Sequence, residues 1–335
     1  MRSVVATRYG GPEALRIVDA PAPVPAEGQV LVRIAASSVN PLDWHELRGR
    51  PYLVRIGSGL RRPRTPARGS DLAGTIEAIG PGVDDLLVGD EVMGFGVGAW
   101  SDLAVVSARG VVRRPATLGV HEAAGAGIAA ITALQALRRG GLTGPRTWRP
   151  GEVEPMPPRV LIIGASGGVG TFAVQLAKLF GAHVTAVTST RNLVLAERIG
   201  ADELIDYTTT ALDDGLRRFD LVLELAGARR LGELARLLTP RGSLIACGAP
   251  RGQWIGPLAS VAALAVRDRF SRRTFASILA RRDRVDLGML ADLLGTGALR
   301  TVVGEVLPLE RIAEAVALSE SGHARGKIIV DLTGP

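Results

Sequence analysis

The sequence predicts an α/β protein in which a doubly wound parallel sheet is joined to a smaller β-rich domain. Three observations carry that expectation. A strand, glycine turn, helix and second strand follow one another from Arg159 to Tyr207, short β-type runs fill the first 118 residues, and strands alternate with helices after residue 119. With 335 residues, 47% of them hydrophobic and 22% charged, the chain can build two separate globular cores.

In the first part, Gln29 to Ala35 alternates polar and apolar side chains, the pattern of a half-buried strand. Gly74 to Ile79 is a second such run, Gly89 to Gly94 a turn leading into a strand, and Asp102 to Val106 a further strand. Several short strands separated by turn residues predict a small β-barrel-like domain. Glu122 to Arg139 then reads as an alanine-rich helix with Ile128, Ile131, Leu134 and Leu137 on one face. Five prolines between Gly140 and Pro158 mark a surface loop.

The βαβ unit carries the first chemistry. Val160 to Ile163 is a β-branched apolar run suited to a strand buried on both faces. Gly164-Ala165-Ser166-Gly167-Gly168-Val169-Gly170 follows, then Phe172, Val174, Leu176, Ala177 and Leu179 at helical spacing, a C-cap glycine at Gly181 and a strand from His183 to Val187. Such a turn lets backbone approach a pyrophosphate, and the helix N-terminus offers N–H groups and the positive end of its dipole. Read at 165, 167 and 170, the fingerprint has Ala in place of its first glycine. After the second strand stand Thr188-Ser189-Thr190-Arg191, hydroxyls and a guanidinium where NAD-binding units carry a carboxylate. A fork of N–H donors suits a 2′-phosphate, so the expected coenzyme is NADPH.

Phe219 to Glu224 and Ser243 to Cys247 predict further buried strands, helices are expected from Trp254 to Asp292, and the chain closes with a strand (Val302 to Leu307), a helix (Leu309 to Ser319) and a strand (Lys327 to Leu332). The net charge of +7 raises nucleic acid as a partner, but the basic residues are scattered, nearly all Arg, and only 4% of residues are aromatic. No nucleic-acid partner is expected. The single cysteine excludes an internal disulfide and a multi-cysteine zinc site. The first residues lack the apolar core of a signal peptide, and no apolar run is expected to reach the ~20 residues of a membrane span. The expected location is the cytoplasm, with no membrane partner.

The motifs GGPEAL (10–15), NPLDW (40–44), GSDLAG (69–74), GDEVMG (89–94), AAITAL (129–134), ASGGVG (165–170), GADELIDY (200–207) and GHARGKIIV (322–330) occur in the order of one family. Across nearly its whole length the chain resembles the zinc-independent medium-chain dehydrogenases/reductases of the quinone oxidoreductase branch. The resemblance implies a GroES-like catalytic domain at 1–118, completed by 271–335, around a Rossmann NADP-binding domain at 119–270, and a homodimer. It implies hydride transfer from NADPH to a small-molecule substrate, a quinone or an α,β-unsaturated carbonyl. Alcohol or aldehyde oxidoreduction, and a non-catalytic dinucleotide-binding protein, are the alternatives. Zinc-dependent relatives place a Cys near 40 and a His-Glu pair near 70; here Asn40 and Ser70-Asp71 stand there, and no metal is expected.

By the same resemblance Asn40 lies beside the nicotinamide ribose and Thr132 near the carboxamide. Ser166, Gly167, Gly168 and Val169 hold the pyrophosphate; Ser189, Arg191 and Tyr207 surround the adenosine 2′-phosphate; Gly248 lies along the coenzyme and Lys327 near the pyrophosphate. Tyr207 reads equally as a sheet cap, and Lys327 as a solvated lysine. Tyr52 falls where relatives carry an active-site tyrosine, whose phenol can donate a hydrogen bond to a developing enolate oxygen; packing is its other reading. Asp43 and His45 are candidates for a proton relay or for structural positions. Arg48, Arg50, Arg55, Arg61, Arg62, Arg64 and Arg68 crowd the same stretch, as a solvated rim or as attraction for an anionic substrate.

Overall fold

The computed structural model describes residues 1–52, 54–145, 156–212, 217–227, 229–247, 264, 266–269 and 271–334. Packing divides the chain into two units, Met1–Ile131 with Arg281–Pro335, and Thr132–Ala280. These boundaries fall later than 118 and 270. The helix Val120–Arg139 begins in the first unit and ends in the second, and a strand at Thr274–Ser277 belongs to the second unit's sheet.

In the first unit, Gln29–Val39 is the organising strand. One edge pairs with Asp71–Ile79 along nearly its whole length. The other edge serves two partners, Leu103–Ser107 against residues 29–33 and Lys327–Asp331 against residues 36–39. Glu91–Phe95 and Val111–Arg113 extend the sheet on one side, and Val303–Pro308 on the other. A long strand that changes partner midway bends the sheet toward a barrel. The strand runs four residues beyond the expected Ala35, because Ser37 and Ser38 are buried rather than turned to solvent. Their hydroxyls donate to the carbonyl oxygen of Asp71 (2.6 Å) and to Asp71 Oδ2 (2.8 Å).

The second unit is a parallel sheet of six strands in the order Glu203–Asp206, His183–Thr188, Arg159–Ile163, Phe219–Glu224, Leu238–Ala246, Thr274–Ser277. The chain starts in the middle, winds outward on one side, then crosses to Phe219–Glu224 and winds outward on the other. The crossing makes a switch point beside Arg159–Ile163, where open α/β sheets bind ligands at their carboxyl ends. Thr274–Ser277 corrects the expectation of helices throughout 254–292. Four residues between arginines give too short a run for periodicity to register, and burial of Phe275 and Ala276 holds them in the sheet. A helix does follow at Arg284–Gly295, while residues 254–263 lie outside the described residues.

The helix Val120–Arg139 is long and apolar enough, by length and composition, to cross a membrane, which corrects the expectation that no run approaches that length. Most of it is buried inside the protein. Its Gly127 is a requirement of contact: a Cβ there would lie 2.5 Å from Asp71 Oδ1 and 3.0 Å from the carbonyl oxygen of Gly94. Gly127→Ala is therefore expected to cost roughly 1–3 kcal/mol of stability by overpacking, read from the urea midpoint of the purified protein.

Candidate active site

Pro41–Arg48 forms a short helix with proline in its first turn, where no N–H is needed. Asp43, at its third position, accepts from the backbone N–H of Asn40 at 2.7 Å and from Ser70 Oγ at 2.5 Å. Both carboxylate oxygens thus serve the fold, and the side chain is 3% exposed, which places Asp43 in a capping role and corrects its candidacy as an open proton relay. The Asn40 side chain turns inward: Nδ2 donates to Asp71 Oδ2 at 2.9 Å, and Oδ1 accepts from Lys327 Nζ at 2.5 Å.

Asp71 is the hub of this cluster. It has no solvent exposure, and it accepts from Ser38 Oγ, Asn40 Nδ2 and the backbone N–H of Ile128 (2.9 Å), with Lys327 Nζ at 3.5 Å. Lys327 is 3% exposed, so it is not a solvated lysine. Its ammonium, shut in against Asn40 and Asp71, is closed to an external phosphate, which also corrects its expected place at the pyrophosphate. Burial pulls the Lys327 pKa down, opposed by the charges of Asp71 and Asp43. The sequence holds two signals for this cluster: a carboxylate opening the small and apolar strand Asp71–Ile79, and one of only two lysines in the chain.

The other candidates separate. His45 Nδ1 bonds the carbonyl oxygen of Arg50 at 2.9 Å, its ring lies 3.7 Å from that of Trp44, and burial lowers its pKa, so it is a packed, neutral imidazole. Tyr52 is half-buried with the Arg55 guanidinium 4.6 Å from its ring centre; the same guanidinium stands 4.4 Å from Tyr9. The arginines do not form one rim. Arg48 is paired bidentately with Glu320, Arg50 is half-buried, Arg55 donates to the carbonyl oxygen of Gly49, and Arg68 is buried, leaving Arg61, Arg62 and Arg64 exposed.

In the second unit the glycine turn is a formed cradle. Gly164, not Ala165, supplies the left-handed residue (φ +84°), so the glycine missing from the fingerprint sits one position earlier. A Cβ on Gly170 would fall 2.1 Å from the carbonyl oxygen of Gly164, so only glycine lets the helix Gly168–Leu179 start this close to the strand. Gly167 caps that helix without a side-chain hydrogen bond. Ser166 Oγ accepts from Thr188 Oγ1 (2.8 Å) and Asn192 Nδ2 (3.0 Å), which leaves its own proton to donate. Residues 166–169 are half-exposed at the turn. This donor set, with a backbone that approaches without side chains, fits a dinucleotide pyrophosphate.

At the end of the next strand, Ser189, Arg191 and Tyr207 come to one edge: Tyr207 N–H donates to the Thr188 carbonyl oxygen at 3.1 Å, and its side chain is 51% exposed. That exposure argues against Tyr207 as a buried cap. The expectation that no carboxylate stands here is corrected. Parallel pairing sets Asp206 beside Thr188, and Asp206 accepts from Thr190 Oγ1 (2.5 Å) and from Thr208 Oγ1 (2.6 Å) and N–H. These hydrogen bonds hold its pKa below the ordinary value, so it stays ionised. Thr132 is buried in the long helix, and Gly248 lies outside the described residues. Among the described residues no group of three His, Cys, Asp or Glu is placed to hold a metal ion.

Residues 26–116 match the family described as the alcohol dehydrogenase GroES-like domain, and residues 199–330 the family described as zinc-binding dehydrogenase. The chloroplast envelope quinone oxidoreductase homolog of Arabidopsis thaliana is 33% identical over 344 residues, 99% of this chain and 98% of that protein. This chain belongs to the medium-chain dehydrogenase/reductase superfamily. Within it the chain is a quinone oxidoreductase-like, NAD(P)-dependent oxidoreductase, with a GroES-like first unit and a Rossmann second unit. The quinone oxidoreductase of Coxiella burnetii shares the fold at a TM-score of 0.84 and 24% identity, covering 99% of both chains. That of Escherichia coli, determined in complex with NADPH, does so at 0.79 and 22%, covering 99% of this chain and 100% of that one.

Burial pushes the Asp43 carboxyl up to about 7, with the charges of Asp71 and Glu46 adding and the Ser70 and Asn40 hydrogen bonds opposing. A pKa raised above the unfolded value means that the fold retains a proton the unfolded chain releases. The contribution of this group therefore favours folding below the unfolded value of 3.8 and is lost as pH rises to about 7. Asp43→Asn is expected to flatten the pH dependence of stability across that window relative to wild type, measured by denaturant titration at a series of pH values.

Proposed function

We propose that this oxidoreductase uses NADPH, without zinc, to reduce quinones or α,β-unsaturated carbonyls. The observation that carries the reading is the Gly164–Gly170 turn: a clash-limited glycine approach, a helix start without a side-chain cap, and a serine hydroxyl left to donate. When bound, NADPH supplies the hydride. The chain's part is to hold the pyrophosphate with Ser166, Gly167, Gly168 and Val169, and the adenosine end with Ser189, Arg191 and Tyr207. Asn40 and Thr132 orient the nicotinamide end, and Tyr52 gives a hydrogen bond to the oxygen that gains charge as the substrate is reduced.

Zinc independence is supported by the donor chemistry. Asn40 stands where a thiolate would be needed, and Asp71 is consumed by its own hydrogen bonds. Burial and the charge of Glu224 push the chain's one thiol, Cys247, up to about 12, so it stays neutral. For the coenzyme, the ionised Asp206 opposes the phosphorylated form, and the Arg191 guanidinium with the Ser189 hydroxyl beside it supports NADPH.

Steady-state oxidation of NADPH and NADH with a panel of quinones and enones, in buffer containing EDTA, tests the whole reading. The expected outcome is persistent activity with the lower KM for NADPH, and a narrowed ratio in Arg191→Ala. A lower KM for NADH, or loss of activity to the chelator, overturns it. Tyr52→Phe is expected to lower kcat while NADPH affinity, read by fluorescence titration, stays as in wild type.

A further inference from the structure

We propose that Asn192 is a positioning residue that turns the hydroxyl protons of Ser166 and Ser189 outward, as donors to the phosphates of the dinucleotide. The proposal rests on the reading above that NADPH binds at the glycine turn, and every residue it uses belongs to the second unit.

Asn192 stands immediately before the helix Leu193–Arg198, where an asparagine ordinarily turns its side-chain oxygen onto the free N–H groups of the first turn. It makes no such bond. Its buried side chain reaches instead to the glycine turn after the neighbouring strand, where Nδ2 donates to Ser166 Oγ at 3.0 Å and to Ser189 Oγ at 3.4 Å. The backbone fixes where this amide stands, because the Asn192 N–H donates to the Ser189 carbonyl oxygen at 2.9 Å and closes the turn Thr190–Asn192.

A hydroxyl has one proton and two lone pairs. On Ser166, Asn192 and Thr188 Oγ1 (2.8 Å) fill both lone pairs, so the proton must point elsewhere. On Ser189 the same amide fills one lone pair. Asn192 and Thr188 are buried while both serines are half-exposed, so the donors arrive from inside and the serine protons face the open side. Turned over, the amide would accept from both hydroxyls and draw their protons inward, leaving oxygen lone pairs toward an anion. Nitrogen toward the serines is thus the arrangement that a phosphate requires. One amide thereby sets two donors, Ser166 for the pyrophosphate and Ser189 for the 2′-phosphate.

The test measures NADPH and NADH dissociation constants of the full chain by fluorescence titration, with thermal midpoints in parallel. Asn192→Ala should weaken NADPH by about tenfold and NADH by about threefold, since two directed donors serve the first and one the second. With Ser166→Ala and Ser189→Ala already in place, adding Asn192→Ala should cost NADPH little more. Asn192→Asp keeps the shape but presents only oxygen to both hydroxyls, and should weaken NADPH by more than Asn192→Ala does. An NADPH affinity equal to wild type in Asn192→Ala overturns the proposal. Equal weakening of both coenzymes also overturns it, because that assigns Asn192 only to holding the turn together, as does full additivity with the serine substitutions. Absence of NADPH binding by the wild-type protein overturns the coenzyme reading and this proposal with it; wild-type binding with any of the three preceding outcomes overturns the proposal alone. Should Asn192→Ala not fold, Asn192→Asp carries the test, and an NADPH affinity equal to wild type in that variant overturns the proposal.

Discussion

A carboxylate with no solvent exposure governs the first unit. Asp71 takes hydrogen bonds from the organising strand, from the start of the helix Pro41–Arg48 and from the backbone of the long helix, and its counter-charge comes from the last strand. Burying a carboxylate costs several kcal/mol, and only a full set of donors with a counter-ion offsets that. The site therefore tolerates its surroundings in one arrangement. Ser37 and Ser38 must face inward, Gly127 must lack a side chain, and Lys327 must reach the same point from the far end of the chain.

The second unit solves a different problem with fewer parts. Its turn needs closeness rather than charge, and Gly164 provides it by conformation and Gly170 by the absence of atoms. The hydrogen bonds of Thr188 and Asn192 onto Ser166 tie the turn to the neighbouring strand, so the donor groups are held by the sheet and not by the loop alone. The charges beside the adenosine end lie at the surface, where Arg191 and Asp206 stand at the edge of the sheet, exposed or partly so, and their influence is correspondingly modest.

What was legible in the sequence follows this division. The βαβ unit could be read because each requirement is local: a β-branched run, glycines within seven residues, then helical spacing. The ordered motifs carried the two-domain plan. The Asp71 cluster could not be read, because Asp71 lies 31 to 256 residues from the groups it joins. Sequence patterns see spacing along a strand or helix, not the meeting of a strand with a residue near the other terminus. Asp206 is hidden for the same reason, since parallel register and not proximity in sequence brings it to Thr190. Thr274–Ser277 escaped because four residues among arginines have no period to detect. The arginine-rich stretch misled in the opposite direction: crowding in sequence dispersed in space, with Arg48, Arg55 and Arg68 each drawn to a different structural task.

The placement of Lys327–Asp331 against residues 36–39 bears on the order in which the protein can assemble during synthesis. Every strand of the second unit has been made once residue 277 has left the ribosome, so that unit can fold as an insert while translation continues. The first unit has to wait some fifty residues longer: until residue 331 emerges, the edge of Gln29–Val39 lacks its partner and Asp71 lacks its cation. A nascent chain would thus hold a finished glycine-turn cradle before the first unit has closed its sheet.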